Sequence, residues 1–137
     1  MKLVTYTKDG KEQVALYIDS KLYNVNELNS ALPADMATLL LQWEENSALL
    51  RTAEAAIISG TANVAGIDFA GANLLAPVPH PTSCRDGYAF RQHVAAARRN
   101  RKVDMIAEFD QYPIFYFTNH NAIQGPGEIP VMPDHLK

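Results

Sequence analysis

Apolar and polar positions alternate from the start of the chain. Val14, Leu16 and Ile18 fall on every second residue, the two-residue period of a half-buried strand. Lys2–Thr7 and Glu12–Asp19 therefore read as strands on either side of Lys8-Asp9-Gly10-Lys11, where Asp-Gly is a hairpin signal. Asp19-Ser20 makes a second turn, and Lys21–Asn24 a short third strand. Such a meander needs a helix against its apolar face. The period then changes. After Pro33-Ala34-Asp35, the residues Met36, Leu39, Leu40 and Trp43 recur at i, i+3, i+4 and i+7, a helical stripe. A second helix over about Ser47–Ser59 presents Leu49, Leu50, Ala53 and Ile57 and stops at Gly60, a residue suited to the position just past a helix end. Both stripes read as packing rather than as a cofactor box. Leu3, Val14, Leu16, Ile18, Leu39, Leu40 and Trp43 are the expected core of an N-terminal module.

Past Gly60 the pattern loosens. The small-residue stretch Thr61–Gly71 and the prolines Pro77, Pro79 and Pro81 mark a boundary, giving an expected division into residues 1–74 and 75–137. Proline lacks a backbone donor and biases its predecessor to extended geometry, so the next helix begins no earlier than Thr82. Ser83 with Asp86 three residues on fits a capping box, which predicts a helix from Ser83 to about Asn100. Seven residues is nearly two turns, so Asp86 and His93 would share one helix face about 10 Å apart, with Phe90 and Ala97 on the same stripe. Lys102–Tyr112 carries no assignable pattern. Pro113–Thr118, a short aromatic and β-branched run, reads as a buried strand, and Asn119–Lys137 as loop. No internal repeat or low-complexity tract interrupts this order.

Composition narrows the partners. At 137 residues and 47% hydrophobic the chain supports a core. A net charge of −3 and a pI near 5.7 give no electrostatic footprint for nucleic acid or an anionic membrane. One cysteine excludes an internal disulfide and suits a reducing compartment, and Met1-Lys2-Leu3-Val4-Thr5-Tyr6 lacks the apolar core of a signal peptide. The expectation is a cytoplasmic protein without a membrane partner.

The candidate chemistry gathers over 83–102. Taken alone, Asp86 is the acidic partner of a capping box and His93 a satisfied helix histidine. Arg98, Arg99, Arg101 and Lys102 are cations dressing a helix C-terminus, worth about 0.3–1 kcal/mol. Taken together, a carboxylate, an imidazole and a following cationic run are half of an active site. Cys84 lies at the expected helix start beside arginine, a setting that lowers a thiol pKa. Nine residues is two and a half turns, however, so Cys84 and His93 would point to opposite faces. His80, His93, His120 and His135 form no i, i+3 or i, i+4 pair, and a single cysteine gives no zinc signature.

These residues also fall into a larger ordered pattern. Leu75-Ala76-Pro77-Val78-Pro79, then Cys84-Arg85-Asp86, Tyr88-Ala89-Phe90 and His93, then Pro113-Ile114-Phe115-Tyr116-Phe117 and Gly125-Pro126-Gly127 resemble the fumarylacetoacetate hydrolase family. The resemblance runs from Leu75 to the end and is weaker in the N-terminal strand segment. It implies an α+β fold: a small N-terminal β-meander with helices, then the opening helix and strand of a mixed β-roll catalytic domain, truncated here. Family members continue into a β-rich region with a Glu-x-Glu pair and a later Asp that bind a divalent metal; neither is present in this sequence.

The resemblance further implies Asp86 as one ligand of Mg²⁺, Ca²⁺ or Mn²⁺, in a site this chain holds incompletely. His93 takes the place of the general base, paired with a Glu from the further region. Tyr88, Arg101 and Tyr116 stand near residues that contact the substrate's carboxylate and oxygens. Arg99 or Arg98 is equally well placed, because the alignment over Lys102–Tyr112 needs a gap. The implied activity is hydrolysis of a carbon–carbon bond in a β-diketone or acylpyruvate-type keto acid, by a homodimer when full length, with this chain alone inactive. Relatives decarboxylate, hydrate, dehydrate or isomerise related keto acids. The competing reading is a non-catalytic binding or interaction module.

Overall fold

Two tight turns set the first sheet. In a computed structural model, which describes residues 1–136 and side chains as far as Asp134, strands β1 (Leu3–Lys8), β2 (Lys11–Ile18) and β3 (Lys21–Asn24) form an antiparallel meander. Lys137, the end of the expected loop, and the side chain of His135 lie outside the described residues. Asp9 and Gly10 have φ of 52° and 73°, and Asp19 and Ser20 have 49° and 62°. Positive φ at both central residues is the turn geometry that matches the right-handed twist of paired strands. The register sets Leu3 opposite Leu16 and Thr5 opposite Val14, so one face carries Leu3, Val14, Leu16 and Ile18. The other carries Val4, Tyr6, Ala15, Tyr17 and Leu22.

Each face has its own cover. Strand β3 runs directly into α1 (Val25–Leu28), where Asn24 Oδ1 accepts from the backbone N–H of Asn26 and Glu27. The amide of the same buried Asn24 donates to Tyr6 Oη at 3.2 Å and to Gln13 Oε1 at 2.8 Å, so the sheet and the cap share one residue. Asp35 then caps α2 (Met36–Leu41), accepting from Thr38 N–H at 2.8 Å. α3 (Trp43–Ile58) follows, and Asn46 Nδ2 donates to the carbonyl of Leu39 at 2.9 Å in a buried bond that ties the two helices. Leu39, Leu50 and Ala53 close over Val14 and Leu16, with Val25, Leu32 and Met36 completing that cluster. α3 stops as expected at Gly60: Thr61 N–H donates to Ala56 O and Gly60 N–H to Ile57 O, the paired closure of a glycine-terminated helix.

The second face is covered by a crossing segment. β4 (Ile67–Asp68) pairs with β3 on one edge and β5 (Asn73–Leu74) with β1 on the other, giving the order β4-β3-β2-β1-β5. Between them a 3₁₀ turn over Phe69–Gly71 lays Phe69 edge-on to Tyr17, ring centroids 4.9 Å apart, and Ala72 and Leu74 join the cluster of Tyr6, Ala15 and Leu22. Residues 123–136 belong with this first unit. In it Gly125 lies so close to the backbone that a Cβ there would stand 2.7 Å from Leu74 O, which no side chain tolerates.

The stripe reading of Leu40 and Trp43 is corrected. Leu40 is 41% exposed and Trp43 38%, whereas Met36 and Leu39 are buried. The helix breaks at Gln42, with φ −112° and ψ 40°, so counting seven residues from Met36 to Trp43 carries a helical period across a joint. The second helix accordingly starts at Trp43, four residues before the expected Ser47.

Residues 81–122 form a second compact unit. Here the expected helix from Ser83 is also corrected. Cys84–Gly87 is strand β6, antiparallel to β7 (Phe115–Thr118), and the helix, α4, spans Arg91–Asn100. A glycine costs a helix interior about 1 kcal/mol, and Gly87 would have fallen in that interior. The ladder to Phe115–Thr118 instead takes up the backbone groups of 84–87. Phe90 takes the N-cap position with no side-chain cap bond, and Val94 is the buried residue of α4. β7 falls within the expected strand, yet all four of its residues are exposed rather than buried. The chain is α+β throughout, and among the described residues no helix is long and apolar enough to cross a membrane.

Candidate functional site

The ladder of β6 and β7 sorts the candidate residues onto two faces. Asp86 lies directly opposite Tyr116, Cys84 opposite Thr118, Arg85 opposite Phe117 and Gly87 opposite Phe115. Tyr88 extends the pairing by donating its N–H to Ile114 O at 2.9 Å. Side chains alternate along a strand, so Asp86, Tyr88 and Tyr116 share one face. The rings of Tyr88 and Tyr116 meet at 6.3 Å with an interplanar angle of 61°, and Tyr88 also meets Phe109 edge-on at 6.3 Å. The opposite face carries Arg85, whose guanidinium lies 5.1 Å from the centre of the Phe115 ring and 5.4 Å from that of Phe117.

His93 is exposed on the first turn of α4, five residues beyond Tyr88. It therefore does not lie below Asp86 on a common helix face; strand and helix are separate elements joined through 88–90. Arg101 is the exposed C-cap of α4, eight residues after His93 and so about 12 Å farther along the axis. Arg98 Nε donates to the carbonyl of Asp104, and Arg99 is exposed. Cys84 is a half-buried strand residue, so neither the helix-start setting nor the opposite-face argument drawn for it applies. The geometry joins three of the expected site residues, Asp86, Tyr88 and Tyr116, and keeps His93 and Arg101 at the two ends of the following helix.

No protein-family model matches the chain, and no curated protein does.

Among the described residues no three His, Cys, Asp or Glu side chains gather closely enough to hold a metal ion. Asp86 is an exposed carboxylate with oxygen donors suited to a hard cation. Divalent cations of that kind often take one or two protein carboxylates and fill the rest of the shell with water and substrate, so Asp86 fits as a single contributor and no more.

One ion pair reaches the segment that had no assignable pattern. Arg91 at the start of α4 donates from Nε to Asp110 Oδ1 at 2.9 Å and from Nη2 to Oδ2 at 3.1 Å. That hydrogen bond, aided by the guanidinium charge, holds the Asp110 carboxyl below its ordinary value of 3.8. Its folded-state value lies under its unfolded one, so the pair contributes above the unfolded value and is lost as pH falls through the folded one. Both side chains are exposed, which keeps the contribution small and sensitive to salt. A carboxyl-detected NMR titration is expected to give Asp110 a midpoint below 3.8, returning toward it in Arg91→Ala and in high salt. A midpoint unmoved by Arg91→Ala would show that the pair does not form in solution.

Proposed function

We propose that this chain is the front part of a metal-dependent hydrolase similar to the fumarylacetoacetate hydrolase family, cleaving a carbon–carbon bond in a β-diketone or acylpyruvate-type keto acid. The ordered motif over 75–127 suggests the reading, and the observation that carries it is the common face of Asp86, Tyr88 and Tyr116. In this reading Asp86 contributes one oxygen to a divalent cation, Mg²⁺, Ca²⁺ or Mn²⁺, whose other ligands the resemblance places outside this sequence. When bound, such a cation stabilises negative charge developing on carbonyl oxygens. The two tyrosine hydroxyls bind substrate oxygens. Arg101, or Arg99 in its place, offers a guanidinium fork to the substrate carboxylate. His93 takes a proton from water, whose oxygen adds to the acyl carbonyl. The bond between that carbon and the neighbouring methylene breaks, releasing one carboxylic acid and the enolate of the other product, which the returned proton quenches. The protein is a homodimer in its full-length, cytoplasmic form.

The test has two parts. Codons following Lys137 that encode a Glu-x-Glu and a long strand-rich region support the reading, and a native stop codon supports a binding or interaction module instead. With the extended protein, Mg²⁺-dependent turnover of acetylpyruvate, followed by loss of its enol absorbance and by chromatography of the two acids, is expected. The 137-residue chain alone is expected to show no appreciable turnover, because a single carboxylate does not hold the metal. An extended protein inert toward acylpyruvates with every divalent cation would overturn the proposal.

A further inference from the structure

A cavity of about 520 Å³ opens beside β6. Its lining includes the aromatic residues Tyr88, Phe109, Tyr112 and Phe115, and its charged lining residues are Arg85 and Asp110. The two charges are not equivalent. Asp110 is already held by the fork of Arg91 at 2.9 and 3.1 Å. Arg85 has no ion pair and no side-chain hydrogen bond among the described residues; its guanidinium lies 5.1 and 5.4 Å from the ring centres of Phe115 and Phe117. A guanidinium beside aromatic rings spends no N–H donor on a hydrogen-bond acceptor, so its donors remain available to a ligand. The cavity thus offers one uncommitted cation beside an aromatic wall. Its volume lies within the range of small-molecule sites.

We propose that this cavity is a binding site for a small aryl-substituted carboxylate, the carboxylate on Arg85 and the ring among Tyr88, Phe109, Tyr112 and Phe115. A planar carboxylate matches the guanidinium fork in two parallel hydrogen bonds. A ring matches the walls because aromatic pairs favour the edge-to-face contact that Tyr88 and Phe109 already make at 85°. A single free arginine selects a monoanion over a polyphosphate, which draws on several cations. Arg85 and Asp86 are successive strand residues and point to opposite faces of β6, whereas Tyr88 lies on the Asp86 face and also lines this cavity, so Tyr88 is common to the two proposed sites. The carboxylate contact to Arg85 takes no part in the hydrolase reading, and a binding test needs no turnover.

Titration of the 137-residue protein with phenylacetate, phenylacetamide and acetate, followed by calorimetry and amide NMR, tests it. Phenylacetate is expected to saturate at millimolar or lower concentration and to shift the amides of Arg85, Tyr88, Asp110 and Tyr112. The neutral amide and the ringless acetate should each bind at least about tenfold more weakly, since a charged hydrogen bond and a ring's burial are each worth that factor. Arg85→Gln should bring phenylacetate down to the level of phenylacetamide while leaving the amide's binding unchanged. Arg85→Lys, which keeps the charge without the fork, should fall between. Unmoved cross-peaks of β1–β3 and α4 report that each variant is folded; if Arg85→Gln disturbs the ribbon, Arg85→Lys and the three-ligand comparison on the unaltered protein decide. Failure of phenylacetate to saturate, equal affinity for acid and amide, or shifts confined to Arg98–Lys102 would each overturn the assignment.

Discussion

Leu39→Ala is expected to cost about 2–5 kcal/mol, while Leu40→Ala, one residue on, costs under about 1 kcal/mol. Leu39 is fully buried among Val14, Leu16, Val25 and Leu50, so truncation leaves a cavity that the sheet and α3 close only in part. Leu40 is 41% exposed on the same short helix and leaves solvent behind. Trp43→Ala should fall between the two, since the indole is 38% exposed beyond the break at Gln42 yet part of its large ring is still covered. For a unit of this size 1 kcal/mol moves the thermal midpoint by several degrees, so Leu39→Ala should lower it by about 10 °C or more. Calorimetric melts of the three variants check the ordering. A Trp43→Ala midpoint falling as far as that of Leu39→Ala would mean that the indole is buried and that the stripe continues through Gln42.

What was legible in the sequence was what nearby residues decide. The hairpins at Asp9-Gly10 and Asp19-Ser20 rest on turn residues that accept positive φ and on a two-residue alternation, all within twenty positions. The end of α3 rests on Gly60 alone. The failures have one physical origin. Ser83 and Asp86 form a plausible local cap, but the backbone of 84–87 is claimed by Phe115–Thr118, some thirty residues away, and such a ladder outweighs a capping pattern worth about 1 kcal/mol. The two-residue strands β4 and β5 carry no pattern of their own and exist through pairing with β3 and β1. The exposed Phe115, Tyr116 and Phe117 show why an aromatic run does not by itself predict burial: apolar residues supply much of any protein surface. For the site, Asp86 was singled out by its spacing to His93 and by the resemblance, Tyr88 and Tyr116 through the resemblance, and strand β6, which sets them on one face, was not foreseen. Arg85 was passed over for the same reason. In a helix it would have been one more surface cation, whereas in a strand it is the residue facing away from Asp86 and onto two rings.

Under the proposed hydrolase reading, His93→Ala in the extended protein is expected to lower kcat by about two to four orders of magnitude, the usual share of a general base, with little change in the metal concentration that half-saturates activity. Asp86→Ala is expected to do the reverse first, raising the metal requirement before it lowers the limiting rate. The geometry favours a clean separation. The two residues lie on different elements, Asp86 on β6 and His93 on the first turn of α4, and both are exposed. Neither side chain supports the core, so each substitution should change stability by no more than about 0.5 kcal/mol and any kinetic loss reads on chemistry. The deciding measurement is kcat against divalent metal concentration for both variants. Recovery of full rate by His93→Ala at saturating metal would make His93 a ligand or a structural residue and place the base elsewhere. An Asp86→Ala protein with an unchanged metal requirement would remove Asp86 from the metal site, and with it the reason for reading the shared face of Asp86, Tyr88 and Tyr116 as catalytic.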